Sequence, residues 1–284
     1  MLLNPLTFHA PVSLDEAINL YTTLENSRLQ AGGTFLLNSL KLLKRKGAKT
    51  PEHVISLNKI AGLKGVSESN GELTIKAMTT ISDLYSSPHL RGHLSILRTV
   101  CKNISTNPIR NMATVGGNLT CRYTWTEMPA AMIGLEARLH FRGRDGAAQT
   151  LDAEEFFKNG AKTDKIFTHV TIAGDPGASV AYRRVKKSPN VDIPLLSILI
   201  KTDLSRGKFA HTRVSVNNCV AFAQRDYQLE QFPDQSVFSP DVAEEALEHL
   251  DESIYETRSS DYKKHMFRVS LKSCLKELIE AKNP

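Results

Sequence analysis

Over the first sixty positions the apolar residues switch between helical and extended spacing. Ala17, Ile18, Leu20 and Tyr21 follow Ser13-x-x-Glu16, a capping box that predicts a helix from about Leu14 to Leu24. Leu29, Gln30 and Ala31 read as the end of a strand. Phe35, Leu36, Leu37, Leu40, Leu42 and Leu43 then supply the apolar run of a second helix, predicted over Phe35 to Lys46. It closes with Lys44, Arg45 and Lys46, cations that suit a helix C-terminus, and with Gly47 as its cap. His53 to Leu57 has strand character. The pattern predicts a small α/β unit in which a Gly32-Gly33-Thr34 turn sits at the carboxyl end of a strand and the amino end of a helix, the usual ligand edge of such sheets.

The texture then changes. Gly65 to Ala77 alternates apolar and polar residues around Asn70-Gly71, the signature of a hairpin. Thr80-x-x-Asp83 opens a short helix, His93 to Cys101 predicts another with Leu94, Leu97 and Val100 on one side, and Ala137 to Gly146 predicts a second hairpin. The segment up to about Ala173 therefore reads as an antiparallel sheet with flanking helices. Gly174-Asp175-Pro176-Gly177-Ala178 has the composition of a linker. Beyond it, Ser179 to Val185, Pro194 to Lys201 and Thr212 to Val216 predict three strands. Two helices follow, one opened by Ser239 and Pro240 and a last one from about Asp261 to Ala281 with Phe267, Leu271, Cys274 and Leu278 on one face. The expected class is α+β, with a first domain over 1–174, divided into subdomains of about 1–57 and 58–174, and a second domain over 175–284.

The chemistry concentrates at two glycine pairs, Gly32-Gly33 in LQAGGTFLL and Gly116-Gly117 in IRNMATVGGNL. Glycine takes positive φ and admits backbone close to a ligand, and successive N–H groups at a helix start make an anion-binding nest. Thr34 and Thr114 add a hydroxyl beside each pair and Asn118 adds an amide. Together these suit diphosphate oxygens. Arg110, in the polar loop before the second pair, reads equally well as a phosphate clamp and as a loop arginine tied to backbone carbonyls.

Composition narrows the alternatives. The 284 residues, 41% hydrophobic and 23% charged, are those of an ordinary globular protein with room for two domains. The net charge of +6 is dispersed and is not interleaved with aromatics, which argues against nucleic-acid binding and fits an anionic cofactor or an acidic partner. The four cysteines, Cys101, Cys121, Cys219 and Cys274, have neither zinc nor cluster spacing, so no metal of its own is expected. His89 and His93 have i, i+4 spacing but no third ligand nearby. The N-terminal stretch lacks the features of a signal peptide and no apolar run is long enough to span a membrane, which predicts cytoplasmic residence. Neither G-x-G-x-x-G after a strand nor a P-loop occurs. The chemistry is therefore expected to belong to a bound cofactor, with no catalytic residue supplied by the chain.

In order and separation, AGGTFLL, HVISLNKIAGLKGV, GELTIKAMTTISDL, NPIRNMATVGGNL, AYRRVKKSPNVDIPLLSI and TRSSDYKKHMFRVSLK resemble the FAD-binding subunit of molybdenum hydroxylases, the group of the medium subunits of carbon monoxide dehydrogenase and of bacterial xanthine and nicotinate dehydrogenases. The resemblance covers nearly the whole chain. It implies a two-subdomain FAD domain followed by a C-terminal domain of a three-stranded sheet and a helical bundle. It implies FAD held by Leu29, Ala31, Gly32, Gly33, Thr34, Phe35 and Leu36 of the first loop and by Arg110, Ala113, Thr114, Gly116, Gly117 and Asn118 of the second.

Glu127 stands where the family has an aspartate reaching the adenosine ribose. By the same resemblance, Asp192 and Ile193 would lie beside the isoalloxazine ring and Arg184 near its carbonyl edge. Without the family, Asp192-Ile193 reads as the start of a strand with a buried isoleucine. Two departures stand out: Phe35 replaces a usual Asp, Ser or Glu, and a segment with Tyr123 and Trp125 replaces a small, proline-containing one. These aromatics suit either stacking on adenine or a subunit contact, and Cys121 lies close by. The implied function is an FAD-carrying electron-transfer subunit. Its implied partners are a small subunit with two 2Fe–2S clusters and a large molybdopterin-binding subunit, with NAD or another acceptor beyond. The alternatives are a free-standing flavin oxidoreductase and a flavin-free assembly protein of the same fold.

Overall fold

The computed structural model describes residues 3–121, 123, 125–159, 164–188, 191–205, 208–234, 236, 239, 241–255 and 260–281. The first unit runs β1 (Thr7–His9), α1 (Leu14–Thr23), β2 (Ser27–Gln30), α2 (Leu36–Arg45) and β3 (His53–Ser56). Its three strands are parallel in the order β1-β3-β2, with Leu29 opposite Ile55. Ser13 caps α1 by accepting from the Glu16 N–H at 3.1 Å, and Glu16 reaches back to the Val12 N–H at 2.9 Å. Ala17 and Ile18 of α1 pack with Leu57, Ile60, Leu63, Met78 and Ile166, so this small layer is closed by residues of the next unit.

That unit comprises β4 (Val66–Ser69), β5 (Glu72–Lys76), α3 (Ile81–Ser86), α4 (Ile96–Asn103), α5 (Asn107–Arg110), α6 (Val115–Thr120), α7 (Met128–Gly134), β6 (Arg138–Arg142), β7 (Ala148–Asp152), α8 (Ala153–Asn159) and β8 (Ile166–Ala173). Its sheet is antiparallel in the order β4-β5-β8-β6-β7. Asn70 and Gly71 both have positive φ, 51° and 75°, which is what a two-residue hairpin turn demands. All seven residues of α7 are buried, so this helix lies inside the molecule.

The last unit comprises β9 (Ala178–Lys186), β10 (Pro194–Ser205), β11 (Lys208–Asn217), β12 (Gln224–Arg225), α9 (Tyr227–Asp234), α10 (Val242–Glu245), α11 (Glu252–Tyr255) and α12 (Asp261–Glu280). The expected three strands form one antiparallel sheet, to which β12 adds a two-residue fourth strand in the order β12-β11-β10-β9. The expected helix opened by Ser239 and Pro240 starts at Val242, is α-helical over four residues and runs on as a 3-10 helix over Ala246–His249, with the Ser239 hydroxyl accepting from the Asp241 N–H at 3.2 Å. Pro240 lies outside the described residues. α9 and α11 were not expected from the pattern.

Side chains alternate along β9 and β10, and this alternation joins the two halves. Ala181, Leu196, Ile198 and Ile200 face a core shared with Phe267, Leu271, Cys274 and Leu278 of α12. Tyr182 and Leu199, on the other face, belong to the core built on α4, α7, β5, β6 and β8. A Cβ on Gly134 would stand 2.4 Å from Leu199 Cδ2, so glycine lets α7 lie directly on this sheet. Asp175, in the segment joining β8 to β9, pairs with Lys201 at 3.2 Å. No helix among the described residues is long and apolar enough to cross a membrane.

Candidate functional site

The loop after β2 and the loop between α5 and α6 meet back to back. A Cβ on Gly32 would fall 1.9 Å from the Met112 carbonyl oxygen, and one on Gly117 would stand 3.4 Å from Ala31 Cβ. Gly32 is therefore required by the close approach of two backbones, and Gly33 by its φ of 73°.

The two loops differ in what they offer. Among the described residues no backbone acceptor engages the N–H groups of Gly32, Gly33 or Thr34, which precede the uncapped start of α2. The second loop has its donors already engaged by the protein: Val115 N–H bonds the Thr79 carbonyl at 2.9 Å and Gly116 N–H the Ala77 carbonyl at 2.8 Å, both in the β5–α3 connection, and Gly117 N–H bonds the Thr114 hydroxyl at 3.0 Å. Thr114 is the cap of α6. The expectation of backbone donors from both glycine pairs is thus corrected. The first loop is an open nest, and the second is a close-packed wall held by hydrogen bonds to the β5–α3 connection and to Thr114. From that wall comes Asn118, whose amide Oδ1 is buried without a hydrogen-bond partner among the described residues.

Both loops line a cavity of about 1020 Å³, at the upper end of the roughly 300–1,000 Å³ usual for ligand pockets. Leu29, Ala31, Gly32, Gly33, Thr34, Phe35, Leu36, Ala113, Thr114, Gly116, Gly117, Asn118, Glu127, Arg184, Asp192 and Ile193 all border it. Arg110 does not. Its guanidinium donates to the carbonyls of Lys102 at 3.3 Å, Ile104 at 2.7 Å and Ser105 at 3.0 Å, and to the Asn107 side chain. The phosphate-clamp reading is therefore corrected in favour of the loop-bracing one: Arg110 stands outside the cavity lining, and both of its terminal nitrogens bond the 102–107 segment.

Apolar walls come from Leu40, Leu57, Met78, Phe141, Phe156 and Phe167, none of them an expected cofactor contact. Phe35, Tyr123 and Trp125 form a further wall, with ring centroids 4.4 Å apart for the first pair and 4.3 Å for the second. The apolar Phe35 and the aromatic segment thus accompany one another, each supplying the other's packing surface. Cys121 also borders the cavity, and burial raises the pKa of its thiol.

Glu127 and Arg184 form a buried ion pair, their side chains 5% and 7% exposed. One Glu127 oxygen accepts from Arg184 Nε and the other from the Tyr182 hydroxyl at 2.9 Å. Burial raises the pKa of the Glu127 carboxyl, opposed by the Arg184 charge and by both hydrogen bonds. Arg184 Nη2 donates to the Asp192 carbonyl. Ile193 is 56% exposed, so Asp192-Ile193 is not a strand start with a buried isoleucine. The Glu127–Arg184 contact went unforeseen because 57 residues separate the partners and no local pattern links them.

The description "FAD binding domain in molybdopterin dehydrogenase" matches residues 4–172, more than half of the chain. The chain belongs to this family. It is 30% identical over 224 residues to the carbon monoxide dehydrogenase medium chain of Hydrogenophaga pseudoflava, covering 77% of this chain and 76% of that one. It is 26% identical over 252 residues to the nicotine 6-hydroxylase medium subunit of Paenarthrobacter nicotinovorans, covering 87% of each. The solved structure of carbon monoxide dehydrogenase from Hydrogenophaga pseudoflava lacking the Mo-pyranopterin moiety superposes with a TM-score of 0.89 at 27% identity, over 98% of both chains. This family member is an FAD-binding oxidoreductase component with the α/β fold of those medium chains.

Proposed function

We propose that the FAD pyrophosphate lies on the open nest of Gly32, Gly33 and Thr34, against the wall of Gly116, Gly117 and Asn118. The observation that carries this reading is the set of unengaged N–H groups at the start of α2, in the loop that lines the cavity. Asn118, on the wall, adds a buried amide oxygen without a partner among the described residues, an acceptor that suits a ligand hydroxyl or N–H rather than the diphosphate. The apolar walls suit the remainder of a long, largely planar ligand, and Val191, Asp192 and Ile193 would border its isoalloxazine ring.

When bound, the flavin supplies the redox chemistry, taking electrons from the iron–sulfur clusters of a small partner subunit and releasing them to NAD or another acceptor. Substrate oxidation would belong to a large molybdopterin-binding subunit. The chain's own residues orient the cofactor, hydrogen-bond its diphosphate and shield its ring. Glu127, a carboxylate that borders the cavity, has its charge met by Arg184 and accepts a further bond from Tyr182. Gly33→Val tests the nest. The expected outcome is a folded protein by circular dichroism that retains little or no FAD, whereas a full flavin complement in that variant refutes the assignment.

A further inference from the structure

Glu127 and Arg184 come from different halves of the chain. Glu127 stands at the start of α7, and Arg184 sits on β9 of the C-terminal sheet. Both line the cavity, and both are withdrawn from solvent. The guanidinium has two attachments: Nε to the Glu127 carboxylate, and Nη2 to the backbone carbonyl of Asp192 in the β9–β10 connection. Asp192 in turn accepts the Ile193 N–H on its own carboxylate at 2.8 Å, which fixes the local turn of the backbone. On either side of Asp192, Val191 and Ile193 are 62% and 56% exposed and border the cavity. A fork of donors on a planar cation is suited to holding two acceptors in fixed relation. A charge-assisted bond in a buried setting is stronger than one in water.

We propose that Arg184 is a positioning residue: anchored on Glu127, it holds the 191–193 segment against the cavity, so that Val191 and Ile193 cover the flavin ring. This rests on the reading of the cavity as the FAD site. It replaces a direct contact of Arg184 with the flavin carbonyl edge by an action through the loop. Tyr182, bonded to the second oxygen of Glu127, keeps the carboxylate turned toward Arg184. The arrangement makes shielding of the ring depend on how the C-terminal sheet sits on the FAD-binding half.

The test is hydrogen–deuterium exchange on the full chain, comparing wild type with Arg184→Met, Arg184→Lys and Glu127→Gln. Loss of a charged hydrogen bond predicts about a tenfold or greater rise in the exchange rate of the 187–193 peptide in Arg184→Met, with the β9 and β10 strands unchanged. Arg184→Lys and Glu127→Gln are expected to give smaller rises in the same segment. In the FAD-loaded variants, iodide is expected to quench the flavin more strongly than in wild type. Unchanged exchange at 187–193 in folded Arg184→Met, with altered FAD affinity, would establish direct contact and overturn the proposal. Should Arg184→Met not fold, wild-type exchange in both milder variants overturns it equally. A wild-type chain that takes up no FAD defeats the cofactor reading alone, because the exchange measurement needs no flavin.

Discussion

Asn118 brings to the cavity a buried amide oxygen that no described protein group satisfies. A buried acceptor without a partner costs about 1–3 kcal/mol, so Asn118→Ala is expected to leave the apo protein as stable as wild type or slightly more so. The same change is expected to weaken FAD binding about tenfold, the worth of one hydrogen bond near a polar ligand. Thermal melts of the apo protein and a flavin titration read the two effects separately. Equal losses of stability and affinity would make Asn118 a structural residue. Arg110 shows the opposite case: close in sequence to the second glycine pair, it braces its own loop and does not line the cavity. Proximity in sequence identified the glycines, Thr34, Thr114 and Asn118 because backbone geometry is a local property. It could not decide Arg110, whose partners depend on how the chain folds back between Lys102 and Asn107.

Elements that carry their own signals were legible in the sequence. Ser13 and Glu16 set the start of α1, and the Thr80 hydroxyl accepts from the Asp83 N–H at 3.0 Å to open α3. Asn70-Gly71 turns the first hairpin. β12 and α11, two and four residues long, were not legible, and β12 is tied by a tertiary bond from the Arg225 N–H to Glu154 at 2.8 Å; α9 does carry a local signal, the Asp226 carboxylate accepting from the Leu229 N–H at 2.8 Å, but no apolar periodicity marked it.

One cross-strand pair carries a pH prediction. His140 on β6 stands opposite His169 on β8 with rings parallel and 4.2 Å apart. Burial lowers the pKa of both from the ordinary 6.5, and for His169 the His140 and Lys76 charges add to the effect. Groups with depressed histidine pKa values favour the fold above 6.5 and lose that contribution as pH falls toward the folded-state values. The midpoint of thermal unfolding is therefore expected to drop between about pH 7 and pH 5, more steeply in wild type than in His169→Gln. Identical slopes would show that the pair does not couple to stability.

At the scale of the whole molecule, the two halves share a core. Leu199 of the C-terminal sheet is fully buried among residues of the FAD-binding half, and Glu136 of that half pairs with Lys201 and Arg213 at 2.8 Å each. The chain is therefore expected to unfold as one unit. Trp125, the single tryptophan, belongs to the first half and borders the cavity. Leu199→Ala is expected to cost about 2–5 kcal/mol and to shift tryptophan fluorescence and far-ultraviolet dichroism together in denaturant. A shift in dichroism with an unmoved tryptophan transition would mean independent domains.

The central claim, that this molecule is the FAD carrier of a molybdenum hydroxylase, is tested most directly by the visible spectrum of the tagged chain isolated from its own host, with the released cofactor identified after denaturation. Stoichiometric FAD with iron–sulfur absorbance from co-purifying subunits is the predicted result. A chain that emerges colourless, alone and unable to take up FAD would contradict it.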